Sequence, residues 1–491
     1  MLLHDVVDFA ARRTPHETAL VAEGRRWSFE ELSDRIEFAA ESIAATVRPG
    51  EVVAVVSDNR PDMVVAMYAI PRAGAVAAFV NTRLAPPEIG ALLADVGATR
   101  VLRGEDADRW WERDATVPQV GPLGPGGHTA RPDDTAWIIH TSGTTGTPKG
   151  ARLTHRSLLA GVTQTALMRP LGDGDTYLFP FPLFHVASYN VIHAHLRGRP
   201  VVLVPKFDAV EVMTAIERHR VTHLSLAPTM IAMLLDHPDR GRFDLTSLRH
   251  LYYGASAIPL EVLRRAIDAF GCGFGQGYGM TELSGNVTFL DAEAHRRALG
   301  GEEHLLAAAG RPGPLASLRI VHDDDGGVRD VEPGEPGEIL VRGDQVIPGY
   351  WNRPGADAFV DGWFRTGDIG RVDHEGFVFI VDRRKDIIVS GGENVSSLEV
   401  ESTLSGHPAV AAAAVVGLAD DRWGERVVAV AVRSSGDTTE AGEVLEWCRG
   451  RIAGFKRPRQ LLWVDELPQN ASGKVLKAEV RDLVRRRLGE R

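Results

Sequence analysis

Thr135-Ala136-Trp137-Ile138-Ile139-His140-Thr141-Ser142-Gly143-Thr144-Thr145-Gly146-Thr147-Pro148-Lys149-Gly150 is the stretch on which the reading of this chain turns. Thr135–His140 is an apolar run of strand type, and it leads without interruption into a segment of hydroxyls, three glycines and one lysine. Glycines let backbone N–H groups approach anionic oxygens, hydroxyls donate further hydrogen bonds, and Lys149 supplies charge, so the segment reads as a phosphate-cradling loop. It is not the loop of GTPases, which needs Gly-Lys-Ser/Thr opening a helix. Here Pro148 precedes Lys149, and the next helix is expected from near Thr154. A plain Gly/Thr surface turn explains half of such a string but not the whole.

Outward from that loop the chain has an ordinary globular balance: 491 residues, 44% hydrophobic, 25% charged, net charge −11. Disordered, collagenous and disulfide-scaffold classes are excluded. The acidic surface argues against nucleic-acid partners. Cys272 and Cys448 stand alone, giving neither a disulfide framework nor a cysteine zinc site, which fits a reducing compartment. The opening MLLHDVVDFAARRTP carries Asp5 and Asp8 where a secretory signal is apolar, and Val64–Val80 is cut by Pro71 and Arg72. A soluble, cytoplasmic protein without a transmembrane segment is expected. Only six of the 55 basic residues are lysine: Lys149, Lys206, Lys385, Lys456, Lys474 and Lys477. Coding bias explains arginine elsewhere; where the lysines fall tests any functional reading.

Strand-like runs such as Glu51–Ser57 and Val201–Val204 alternate with helical stretches such as Val210–Arg218 and Leu260–Phe270. That alternation predicts an α/β architecture with helices covering sheets. Ser28 with Glu31 predicts a capping box, with Trp27 and Leu32 as its hydrophobic staple, and Ser396 with Glu399 predicts a second box. His322–Gly337 reads as antiparallel hairpins, Phe377–Val381 as a strand, and the charged Asp382–Asp386 as a domain junction. Five arginines in Arg481–Arg491 fit a solvated helix end.

Four further strings follow the first in a characteristic order: Gly277-Tyr278-Gly279-Met280-Thr281-Glu282; Gly362-Trp363-Phe364-Arg365-Thr366-Gly367-Asp368; Asp382–Glu393; and Asn470-Ala471-Ser472-Gly473-Lys474. Together, and with Pro333–Trp351, they resemble the adenylate-forming superfamily of acyl-CoA synthetases, amino-acid adenylation domains and luciferases over essentially the full length. Singly, Asp368 could be a turn aspartate, Tyr278 a core aromatic and Glu282 a helix-start carboxylate. The order of the five motifs removes those readings.

The resemblance implies an α/β fold. Residues 1–382 would form a large N-terminal domain of stacked α/β sheets with a distorted β-barrel, and 383–386 a hinge at Lys385. Residues 387–491 would form a small mobile α+β domain. It further implies ATP, Mg²⁺ and coenzyme A or a carrier-protein phosphopantetheine as partners of a small carboxylic acid. The carboxylate would attack the α-phosphate of ATP to give an acyl-adenylate, then a thioester. Thr141, Ser142, Gly143, Thr144, Thr145, Gly146 and Lys149 would hold the β,γ-phosphates. Glu282 would offer Mg²⁺ a hard oxygen, and Thr281 would touch the α-phosphate. Tyr278, within Gly277–Met280, would stack on adenine against Gly254, Ala255 and Ser256. Asp368 would accept the ribose hydroxyls and Arg383 would reach ribose or phosphate. Lys474 would bridge carboxylate and α-phosphate. After adenylation the small domain would rotate and bring Ser390, Gly391 and Gly392 to the site, where glycine leaves room for a pantetheine arm.

Phe179–Asn190 resembles the segment lining the acyl site. It holds no carboxylate to pair a substrate ammonium, which disfavours amino acids. His185 stands where related ligases have a gating histidine, though a satisfied core histidine is the ordinary alternative. Val186, Ser188, Tyr189, Tyr253, Leu283 and Val287 would wall an apolar aliphatic or aromatic acid. Lys456 and Arg457 could meet coenzyme A phosphates or be a solvated turn. A stand-alone ligase loading an acyl carrier protein, a luciferase-like oxygenase and a non-catalytic nucleotide-binding relative remain the alternatives.

Overall fold

The structure is a computed structural model that describes residues 1–110, 130–141, 148–254, 258–324, 327–353, 358–420, 422–469 and 475–489. The expected α/β alternation builds two sheets with parallel centres. The larger has nine strands in the order Arg311–Pro312, Gly285–Leu290, Gly273–Met280, His250–Gly254, His223–Leu226, Tyr177–Phe179, Val201–Leu203, Thr18–Ala22 and Arg25–Ser28. Its inner pairs are parallel and its outer pairs antiparallel. The second runs Ala98–Arg103, Val52–Val56, Val76–Val80, Thr135–Thr141, Lys149–Thr154, with only the last pair antiparallel. Val52–Val56 and Val76–Val80 are buried at every position, as continuous β-branched runs between helical layers must be.

Helix ends follow local chemistry. The Ser28–Glu31 capping box is complete and opens the helix Phe29–Ala44, with Trp27 packed against the core that holds Leu32. Leu260–Phe270 is helical over the residues expected. The helix after the first motif, His155–Met168, is capped by Thr154. An unforeseen strand, Lys149–Thr154, first returns antiparallel to Thr135–Thr141. Six residues holding Gly150 and Arg152 were too short and mixed to show the period of a strand. The second expected capping box is only half made. Ser396 accepts the Glu399 N–H, but the Glu399 carboxylate is taken by Lys456 Nζ at 2.7 and 2.8 Å.

The part expected as a distorted barrel is an antiparallel sheet ordered Gly327–Asp330, Ser317–Asp324, Gly337–Arg342, Trp363–Val372, Phe359–Val360, with Val378–Arg383 also on Trp363–Val372. Its first pair is the hairpin expected within His322–Gly337. Val378–Arg383 stays paired as far as Arg383 opposite Asp368, so regular structure reaches the first residue of the expected hinge. Beyond it, Val410–Asp420, Gly424–Arg433, Gln460–Val464, Ile388–Ser390 and Glu393–Val395 form a further sheet. Strand alternation sends Val415 and Ala429 to one face, with the helix Ser397–Ser405, and Val416 and Val428 to the other, with the helix Lys477–Leu488. This is the expected α+β unit. Among the described residues no helix is long and apolar enough to cross a membrane.

Several histidines are built into the large core uncharged. His195 joins Tyr68 Oη at 2.9 Å to the Ala19 carbonyl at 3.2 Å, and burial pushes it down to about 4. Burial also pushes His155 and His223 to about 4 and His193 to about 3. Unfolded histidines bind protons near pH 6.5, which the folded chain refuses until well below that. Stability is therefore complete above that range and lost as pH falls from about 6.5 towards 4. Urea unfolding midpoints should drop between pH 7 and pH 5, and His195→Gln should flatten that slope. A midpoint independent of pH over this interval would contradict the assignment.

Candidate active site

The motifs come together at the carboxyl ends of parallel strands, where open α/β sheets form their ligand crevices. Thr141 ends Thr135–Thr141, Gly254 ends His250–Gly254, and Tyr177–Phe179 leads into Pro180–His185. Gly273–Met280 lies beside Gly254 and gives way to the turn Thr281–Leu283. Ser142–Gly146, Ala255, Ser256 and Lys474 lie outside the described residues.

The buried carboxylate of Glu282 is the meeting point. Its Oε1 accepts from Thr141 Oγ1 at 3.0 Å and from Tyr350 Oη at 3.1 Å. Lys149 Nζ stands 5.5 Å from the Tyr350 ring centre, so the lysine of the first motif faces the same group. The strap carrying Tyr350 is tied to the returning strand by Trp351 N to Gly150 O at 2.7 Å and Arg152 N to Gly349 O at 3.2 Å. It is tied to the turn by Ile347 N to Glu282 O at 3.0 Å. Burial, then the Glu282 charge, raise the Tyr350 phenol above its ordinary range, keeping it a donor. Both partners of Glu282 are neutral hydroxyls, and among the described residues no cluster of three His, Cys, Asp or Glu could hold a metal alone. A buried carboxylate without a paired cation among the described residues fits Mg²⁺, which takes one or two protein carboxylates and fills its shell with water and phosphate.

Asp368 and Tyr278 form the second centre. Tyr278 Oη donates to Asp368 Oδ2 at 2.7 Å, and Arg383 Nε lies 3.3 Å from Asp368 Oδ1. Asp368 is almost wholly buried, and its neighbour pairing with Arg383 across two strands holds both in place. Burial first and Asp368 second push the Tyr278 phenol well above its ordinary range. Gly277, Tyr278, Gly279 and Met280 thus present one aromatic towards Asp368, while buried Thr281 opens the turn that carries Glu282.

The expected acyl wall divides. His185 Nδ1 accepts from Ala187 N at 3.2 Å, capping the turn Val186–Ser188, which leads into the helix Tyr189–Leu196. Tyr189 Oη accepts from Asn286 Nδ2 at 3.0 Å, and the fully buried Ser188 hydroxyl has no hydrogen-bond partner among the described residues. Leu283 and Val287, by contrast, pack with Ile320, Ile339 and Phe364 against the antiparallel sheet. Along Gly285–Leu290, Gly285 lies against the Tyr189 ring and Asn286 bonds its hydroxyl, while Val287 joins the cluster on the antiparallel sheet. Tyr253 spends its hydroxyl on His295 Nε2 at 3.0 Å.

In the C-terminal unit, Gly391 N donates to Trp423 O at 2.7 Å, and Gly391 and Gly392 both have positive φ, 65° and 85°. A side chain on Gly391 would press on the Trp423 ring; one on Gly392 would meet open space. Buried Ser390 precedes them. Arg422 and Arg459 each lie 5.0 Å from the Trp423 ring centre, making a cationic aromatic ledge. Lys456 is held by Glu399. Lys385 is exposed, yet partial loss of water around its ammonium lowers its pKa despite Asp386. Lys477 pairs with Glu401 at 2.9 Å. Sequence reasoning missed Tyr350 and Asn286. Tyr350 lay in a quoted motif but carried no signal of its own, and Asn286 required the strand register.

Comparisons with known proteins agree over the whole chain. Residues 7–351 match the model of the AMP-binding enzyme family, and residues 399–474 that of the AMP-binding enzyme C-terminal domain. The chain is 39% identical over 485 residues to a feruloyl-CoA synthase of Amycolatopsis sp, covering 96% of each. It is 38% identical over 516 residues to an indoleacetate–CoA ligase of Aromatoleum aromaticum, covering 99% of each. Among solved structures, o-succinylbenzoate coenzyme A synthetase from Bacillus subtilis in complex with ATP and magnesium ion superposes with a TM-score of 0.85. It is 33% identical, over 97% of this chain and 99% of that one.

Tyr350 generates a prediction. Tyr350→Phe should raise the Mg²⁺ concentration needed for half-maximal pyrophosphate release by roughly tenfold or more, as loss of a group orienting a metal ligand does. ATP affinity at saturating Mg²⁺ should stay unchanged. A metal titration superimposable on that of the parent chain would remove Tyr350 from that role.

Proposed function

The chain belongs to the AMP-binding enzyme family, and from that premise we infer how its residues carry out AMP-forming acid–thiol ligation. The reaction joins an apolar fatty or aromatic acid to coenzyme A through an acyl-adenylate, consuming ATP with Mg²⁺. The observation that supports the assignment of roles is the convergence of Thr141, Lys149 and Glu282 beside the Tyr278–Asp368 pair.

Asp368 accepts the ribose hydroxyls, exchanging its bond from Tyr278, whose ring then stacks on adenine beside Gly254. Arg383 stays within reach of ribose or phosphate. Thr141 and Lys149, with Ser142–Gly146, cradle the β,γ-phosphates. Glu282 offers its oxygens to Mg²⁺, which when bound neutralises the departing pyrophosphate. Thr281 orients the α-phosphate and Lys474 stabilises the charge shared between it and the attacking carboxylate. His185 stands at the entrance to the acyl site, and Val186, Ser188 and Tyr189 line it.

Residues 1–382 and 387–491 act as two domains joined by the hinge at Lys385. Rotation there exchanges the Lys474 loop for Ser390–Gly392, so that two half-reactions share one centre. The ledge of Trp423 between Arg422 and Arg459, bonded to Gly391, suits a nucleotide carrying phosphates and favours coenzyme A over a carrier protein as acceptor. Two free cysteines and a reaction fed by ATP and coenzyme A favour a cytoplasmic setting.

A panel of carboxylic acids assayed for pyrophosphate release, then for thioester with coenzyme A or carrier protein, tests the reading. Acid-dependent pyrophosphate and a coenzyme A thioester are expected. Thioester only on a carrier protein would reverse the choice of acceptor. Lys474→Ala should weaken adenylation by about 2–4 kcal/mol in the barrier while sparing thioester formation from supplied acyl-adenylate. Gly392→Leu should do the opposite. Equal damage to both half-reactions in both variants contradicts the exchange.

A further inference from the structure

Arg169 follows the helix His155–Met168 and is only 5% exposed. Arginine remains protonated inside a protein, and a buried guanidinium normally comes with a carboxylate. Among the described residues Arg169 has no ion-pair partner, and its Nη2 is buried without a hydrogen bond. Its guanidinium lies over the rings of Tyr252 and Phe289, 4.4 and 5.4 Å from their centres. Asp175, whose charge also bears on Tyr252, is already paired with Arg249 at 2.9 Å.

The unmet polarity is not confined to Arg169. Asn190 Oδ1 and the Ser188 hydroxyl are also buried without partners among the described residues, and the His193 ring has only the Arg169 backbone beside it. All three lie on the turn and helix assigned to the acyl site, and that helix packs on the one preceding Arg169. Burial, with the Arg169 charge next, holds the His193 ring neutral. A fold that leaves this much buried hydrogen-bonding capacity unused lacks a polar partner.

Gly277 is where two of these groups converge. A Cβ on Gly277 would collide with both Arg169 Nη2 and Asn286 Nδ2. The two donors therefore lie side by side against a residue that only glycine lets them approach so closely. Asn286 is the residue that holds the Tyr189 hydroxyl, so this point adjoins the acyl wall.

We propose that Arg169 and Asn286 close the far end of the acyl site, and that the acid activated here is a dicarboxylate of apolar body, its second carboxylate reaching these two donors past Gly277. The proposal rests on the ligase reading above and narrows its substrate. An apolar acid would leave Arg169 buried and unpaired in the complex as in the free chain. A second carboxylate supplies the missing counter-ion and can accept from both donors at once.

The test uses the full chain and pyrophosphate release. Linear dicarboxylic acids are compared with monocarboxylic acids of equal length, and 4-carboxycinnamate with 4-methylcinnamate and 4-hydroxycinnamate. In the best-fitting pair the dicarboxylate should exceed its methyl-ended counterpart in kcat/KM by roughly 100-fold, the discrimination of a site whose polar groups would otherwise stay unpaired. Arg169→Met should bring that ratio towards one, Arg169→Lys should retain part of it, and Gly277→Ala should lower it by displacing both donors. The ratio in the parent chain needs no variant to fold. Preference for the methyl or hydroxyl member throughout, or a ratio unmoved by Arg169→Met, overturns the proposal while leaving carboxylate activation standing. Absence of pyrophosphate with every acid removes the ligase reading and this one with it.

Discussion

A single carboxylate oxygen ties this molecule together at its working face. Glu282 Oε1 receives hydroxyls from Thr141, at the tip of the second sheet, and from Tyr350, on the strap between two strands of the antiparallel sheet. Glu282 itself leaves the end of Gly273–Met280 in the nine-stranded sheet. Three segments far apart in sequence are thereby fixed to one atom. The donors are neutral, so they solvate the carboxylate without cancelling its charge. The carboxylate keeps its charge available for a cation that the protein does not itself supply.

Arg169 is the complementary case. Among the described residues Glu282 is a buried carboxylate without a paired cation, and Arg169 a buried guanidinium without a paired anion. Both adjoin the segment Gly277–Glu282, one through Gly277 and the other at its end. An isolated buried charge costs several kcal/mol, and a fold spends that only where a bound partner repays it. The two unmet charges, of opposite sign, mark where a metal–phosphate group and the tail of an acid complete the structure.

Much of this was legible in sequence because it depends on short-range rules. Ser28 and Glu31 are three residues apart, and their capping box forms; the runs of valine at 52–56 and 76–80 are buried strands. The ordered motifs likewise led to Thr141, Lys149, Glu282 and Asp368. What sequence could not give is which face of a strand meets which neighbour. Val287 was expected in an apolar wall; the fold adds Asn286 at the Tyr189 hydroxyl and packs Val287 with Ile339. Ser396 and Glu399 had the spacing of a capping box, yet Lys456, 57 positions away, takes the glutamate. Tyr350 and Arg169 matter only through partners 68 and 108 residues distant, at 282 and 277 respectively.

The fate of the lysines carries a chemical consequence. Mixed anhydrides that drift from an active centre acylate free amines, and the maker is the nearest target. With six lysines among 55 basic residues, this chain offers few such nucleophiles. Two of them, Lys456 and Lys477, are held in ion pairs with Glu399 and Glu401. Whatever the origin of its arginine-rich composition, the surface is poorly suited to self-inactivation by its own intermediate.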